Sequence, residues 1–149
     1  MEPNKIYVIL SVSPVEYHWE IYVSDDVAQS GVIHHANNAT GGWSYERKHT
    51  DTTVRSQMLA LALKVGTVPV PLPDGRAQID QILGDPAMIS QAPEFRCRAW
   101  ALDGVARLHK MGIVDAPDTS VVMAKSYELA DANRTNIELG LGKCTVASL

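Results

Sequence analysis

The spacing of apolar residues changes character part-way along the chain. Up to about Val68 the runs are short and alternate with period two. Lys5 to Val12 is rich in β-branched and aromatic residues and ends at Pro14, which predicts a strand. Tyr17 to Ser24 predicts a second, with His18, Glu20 and Tyr22 on one face and Trp19, Ile21 and Val23 on the other. Asp25, Asp26 and Ser30-Gly31 mark the turn that follows. Gly31 to Ala36 predicts a third strand, on which His34 and His35 point to opposite faces. Asn37, Asn38, Thr40, Gly41 and Gly42 form a loop, and Trp43 to Lys48 returns as a fourth strand. Met58 to Val68 contains strong helix formers, but large and small residues alternate, so a strand is expected. The proline-rich stretch from Pro69 to Pro73 is an extended connector, too short to separate two cores.

Beyond it the period becomes helical. A short helix is expected from an Asp74 cap to Leu83, with Ile79, Ile82 and Leu83 inward and Gly84 and Pro86 ending it. A second is expected to start at Pro93-Glu94 and close at Gly112. Its inward face carries Cys97, Trp100, Ala101, Gly104, Val105, Leu108 and Met111. A third runs from Asp118 or Thr119 to about Leu139, with Val122, Tyr127, Leu129 and Ile137 as apolar points. Gly140 and Gly142 break it, and the tail from about 140 is expected to be loose. Strands first and helices later predict an α+β fold in one domain, residues 1–149.

Composition narrows the function classes. A formal net charge of −4, with no basic run interleaved with aromatics, argues against a sequence-blind grip on nucleic acid. No segment approaches the roughly 20 apolar residues of a membrane span. The apolar run Ile6 to Leu10 is too short and wrongly flanked for a signal peptide. Two distant cysteines make no disulfide framework and suggest a reducing, cytoplasmic setting.

The residue with most chemical promise is Cys97. A thiol near a helix N-terminus has its thiolate form stabilised, and the thiolate is the nucleophile. It needs a base within reach, and the base needs a third polar group to fix its tautomer. The histidines on the second and third strands are the candidates. On its own, a cysteine on an apolar helix face is as readily inert packing. His18 can equally be a core histidine beside Trp19, and His34-His35 surface strand residues. A metal site from His18, His34, His35 and Cys97 suits in ligand type but fits no zinc spacing, so no metal and no cofactor are expected. His49, His109 and Cys144 read as structural or solvent-facing, and Asp25, Asp26 and Glu46 as solvated.

His18-Trp19-Glu20-Ile21-Tyr22-Val23 followed by Gly31 to Ala36 resembles the histidine strands of the lecithin-retinol acyltransferase-like and permuted NlpC-type group. Tyr17-His18-Trp19, Gly31 to Ala36, Trp43-Ser44-Tyr45-Glu46 and Phe95 to Trp100 together resemble fungal proteins of unassigned function in the same order. The resemblance covers most of residues 5–112. It implies a circularly permuted papain-like fold, with the histidine-bearing antiparallel sheet first and the cysteine helix after it. It also implies Cys97 as nucleophile, His18 as base and a second histidine as the orienting group. Counting from Gly31 selects His35, and matching Val-Ile-His selects His34. Arg96 stands where the pattern has Asn, a departure at the pocket entrance.

The expected function is a cysteine-dependent hydrolase or acyltransferase acting on an amide, ester or thioester carbonyl of a small-molecule or acyl substrate. Trp19, Trp43, Tyr45, Arg96 and Trp100 are the candidate substrate contacts. Two other classes fit the same residues. One is a secondary-metabolism tailoring enzyme that uses the pocket for acid–base cyclisation or isomerisation. The other is a binding module that kept the fold without the chemistry.

Overall fold

A computed structural model describes residues 1–27 and 29–149. The strands are β1 (Lys5–Val12), β2 (Tyr17–Ser24), β3 (Gly31–Asn37), β4 (Ser44–Thr50), β5 (Leu59–Thr67) and β6 (Thr145–Ser148). They form one six-stranded sheet in the order β4-β3-β2-β1-β5-β6. All neighbours are antiparallel except β5 and β6, which run parallel. The helices are α1 (Leu72–Leu83), α2 (Cys97–Lys110) and α3 (Thr119–Glu138). The architecture is therefore α+β with a mixed sheet.

Period-two alternation decides which face each helix finds. Ile6, Val8, Leu10, Trp19, Ile21 and Val23 share a core with Leu83, Trp100, Val105, Leu108, Val122 and Ala130 from the helices. The α2 helix lies over β2 and β3, and α3 over β5 and β1. Gly104 lets α2 approach closely: a Cβ there would meet Ile21 Cδ1 at 2.8 Å and Leu83 Cδ2 at 3.0 Å. The opposite face has a smaller core of Tyr7, Ile9, Tyr22, Ile33, Leu59 and Ala62. The connection from β4 to β5 has to return past three strands, and Val54 within it packs on that second core.

Several sequence expectations are corrected. The α1 helix begins at Leu72 with Pro71 as its extended cap, so Asp74 lies in the first turn and caps nothing. There its carboxylate still complements the helix dipole. The α2 helix begins at Cys97, not at Pro93-Glu94. Phe95 is buried edge-on against Trp43, 5.4 Å between ring centres, and this holds the preceding segment out of the helix. Met111 is exposed rather than inward, because Gly112 at φ +73° ends the helix and turns the chain away. The tail is not loose. Gly140 at φ +70° closes α3, and the amides of Leu141 and Gly142 donate to Asn136 O at 2.9 and 3.0 Å. Asn133 Nδ2 then donates to both Ala60 O and Lys143 O, at 3.0 and 2.8 Å, which aligns β6 beside β5. No described helix is long and apolar enough to cross a membrane.

Candidate active site

The β2–β3 ladder runs from Ser24↔Gly31 to Ile21↔His34. Further along β2, contact with β3 passes to side chains. His18 and Glu20 stand on the face opposite the helices, as alternation requires, and His35 reaches them from β3. His18 Nε2 and His35 Nδ1 lie 2.6 Å apart. His35 Nε2 in turn donates to Glu46 Oε1 at 2.7 Å, because the β3–β4 register sets these two residues opposite each other. Glu20 Oε2 is 3.8 Å from His35 Nδ1.

The electrostatics fix the direction of this chain. The bond from His35 holds the Glu46 carboxyl below the usual carboxylate range, so it is ionised and accepts. His35 therefore carries its proton on Nε2 and offers a lone pair at Nδ1 to His18 Nε2–H. Burial, assisted by the neighbouring His35, pushes His18 down to about 4, so its ring is neutral near pH 7. That leaves the His18 Nδ1 lone pair without a protein hydrogen-bond partner among the described residues.

His34 faces the other way. It is fully buried on the helix side, where Nδ1 bonds Tyr45 Oη at 2.8 Å and Nε2 lies 3.6 Å from Asp80 Oδ1. Burial holds His34 at about 4 as well. His34 and His18 thus belong to separate polar clusters, and His35 is the histidine brought to His18.

Cys97 is the first residue of α2 and half-buried. Its thiol points at the backbone of β2, with Sγ 3.9 Å from Tyr17 O, the residue before His18. Among the described residues it makes no hydrogen bond to an imidazole. The thiol expected to be acidified by a helix N-terminus is not: burial pushes Cys97 up.

The candidate substrate contacts divide by burial. Trp19 and Trp100 are fully buried and hold the sheet and helices together, so neither meets a ligand at the surface. Tyr45 stacks between Trp100 and His34, with ring centres 5.9 and 6.1 Å away. Trp43 is half-buried against Phe95. Arg96 is exposed, but its guanidinium donates to Pro93 O and Phe95 O at 2.8 and 2.7 Å. A groove of about 680 Å³ between α1 and α2, lined by residues such as Gln78, Asp103 and Arg107, holds none of the candidate residues.

Two participants escaped the sequence reading. Glu46 is a hydrogen-bonding partner rather than a solvated acid. Its signal was the hairpin: any pairing closed around Asn37 and Ser44 sets His35 opposite Glu46. Glu20 shares a strand face with His18, and that alternation was the signal that could have found it.

Residues 6–115 match the model of DUF6540, a family of unknown function. The chain is a member of the DUF6540 family. No curated protein and no solved structure matches it. The matched span of this DUF6540 protein holds His18, Glu20, His35, Glu46 and Cys97, and leaves all of α3 and β6 outside.

Proposed function

We propose that this DUF6540 protein is a cysteine-dependent hydrolase or acyltransferase of the permuted papain-like type. In this reading Cys97 attacks an amide, ester or thioester carbonyl, with His18 as general base and His35 as its positioning residue. The observation that carries it is the directed Glu46–His35–His18 chain. It leaves a basic lone pair on His18, on the face of β2 away from the helices, while the Cys97 thiol meets β2 from the helix side at Tyr17 O, so the two groups would meet around the edge of that strand.

The step follows from the resting charges. A raised thiol and a neutral imidazole make no thiolate–imidazolium pair in advance. The proton therefore passes from Sγ to His18 Nδ1 as the S–C bond forms. The carbonyl electron pair moves to oxygen. On collapse the leaving group takes that proton back from His18, and water or a second acceptor repeats the sequence to free Cys97. The 3.9 Å Tyr17 contact is released when Sγ turns toward the substrate, since catalytic contacts commonly tighten only in the complex.

The test is intact-mass spectrometry after exposure to an activated acyl ester and an acyl thioester. An acyl adduct on Cys97, lost in Cys97→Ala and slowed by His18→Ala, is expected. A wild-type protein that acquires no adduct, or acquires it at the same rate without His18, defeats the reading. A second reading draws on the thiol's own bond to Tyr17 O. Here His18 does acid–base chemistry without the sulfur, no acyl adduct forms on Cys97, and Cys97→Ala keeps full turnover.

A further inference from the structure

We infer that His18, Glu20 and His35 form a binding site for a divalent transition-metal ion of the zinc class, with Glu46 holding His35 from behind. Three ligand atoms converge there: His18 Nε2, His35 Nδ1 and a Glu20 carboxylate oxygen lie within 4.8 Å of one another. Two imidazoles and one carboxylate suit zinc and its first-row neighbours, and they leave a fourth position to water.

Glu20 is the observation that points to a cation. Its side chain is 10% exposed and makes no hydrogen bond among the described residues. A carboxylate removed from water is costly unless a charge or a donor is paired with it. His35 Nδ1 stands 3.8 Å from its Oε2, beyond hydrogen-bond reach. An ion between Glu20 and the two rings supplies the missing partner.

The histidine geometry agrees. Zinc–nitrogen bonds near 2.0–2.1 Å in a tetrahedral site set donors about 3.3 Å apart. The rings at 2.6 Å must part by about 0.7 Å, Glu20 must close on His35 by about 0.5 Å from 3.8 Å, and Glu20 and His18, within 4.8 Å of each other, must close by up to about 1.5 Å. His35 already donates its remote N–H to Glu46, the outer-shell carboxylate that metal-bound histidines usually have. In the metal-free chain a proton joins the two facing nitrogens. The ion takes its place, and the His18 proton moves to Nδ1. No sequence spacing announces this set, because two ligands are alternate residues of β2 and the third comes from β3.

Nothing in this inference uses the sulfur. If the thiol reading holds, an occupied site silences it, because a protonated Nδ1 cannot accept from Cys97.

The experiment titrates chelator-treated, full-length protein with Zn²⁺ by calorimetry and with Co²⁺ by visible absorption. One ion per chain is expected. Glu46→Gln should weaken binding about 10- to 100-fold, and the isosteric Glu20→Gln at least as much. Cys97→Ala should bind as the wild type does. His35→Gln is added so that no conclusion depends on one variant folding, and each variant is checked by circular dichroism. Lack of saturable binding in the wild type overturns the inference. So does binding unchanged in both Glu20→Gln and His35→Gln, which puts the ion elsewhere. Loss of binding in a folded Cys97→Ala overturns it too, because the ligand set would then include the thiol.

Discussion

His18 Nε2 and His35 Nδ1 stand 2.6 Å apart where the β2–β3 ladder has ended, so side chains continue the pairing that the backbone gives up. The two rings meet edge-on, with 4.9 Å between centres. A neutral His18 beside an anchored His35 should titrate far below an ordinary histidine. In NMR titrations the His18 ring is expected near pH 4. His35→Gln should raise that midpoint while burial keeps it below 6.5, since burial is the larger cause. A wild-type midpoint at 6.5 would contradict the burial argument.

Stability should fall on mild acidification. His18 and His34 are both held at about 4 in the folded chain and return to about 6.5 on unfolding. Between those values the unfolded state binds more protons. The stabilisation is thus complete above pH 6.5, shrinks as pH falls, and is gone below about 4. Each histidine adds a slope of at most ~1.4 kcal/mol per pH unit in that window. Denaturant melts at pH 7, 6 and 5 check it, and a double variant lacking both rings should flatten the profile.

Gly75→Ala should destabilise the protein, against the usual helix preference. Alanine in place of a helical glycine ordinarily gains about 1 kcal/mol. Here the new Cβ would lie 2.1 Å from the Pro69 carbonyl oxygen, a backbone atom that cannot swing aside. A lowered thermal midpoint is expected, and a raised one would show that the Pro69 segment yields easily.

Asn133→Ala should loosen the C-terminal strand. The amide joins Ala60 O to Lys143 O, and its loss leaves the first carbonyl short of a donor. A cost of about 1–2 kcal/mol is expected. Hydrogen exchange should quicken at Thr145–Ser148 while β1 and β2 stay protected.

Much of this was legible in the sequence because alternation is local. The faces of His18, Glu20 and Trp19, and the opposed directions of His34 and His35, follow from counting along a strand. The α3 cap at Asp118 is equally local, its carboxylate accepting from Ser120 N. The parts that could not be read depend on partners far away. The β6 strand exists because Asn133 and the α3 terminus deliver it to β5. The α2 start is delayed by a ring contact between Phe95 and Trp43. The state of Cys97 depends on how deeply α2 sinks onto β2, and no spacing rule encodes that depth.

The strand that supplies Glu46 is also an outer border of the sheet, with no strand paired beyond it among the described residues. Its four consecutive side chains, Glu46, Arg47, Lys48 and His49, are exposed and ionisable. A border so hydrated and so crowded with charge is a poor template for a strand from another molecule. Glu46 thus both bonds His35 and adds to the charge along that border. An aliphatic substitution there would put both duties at risk at once.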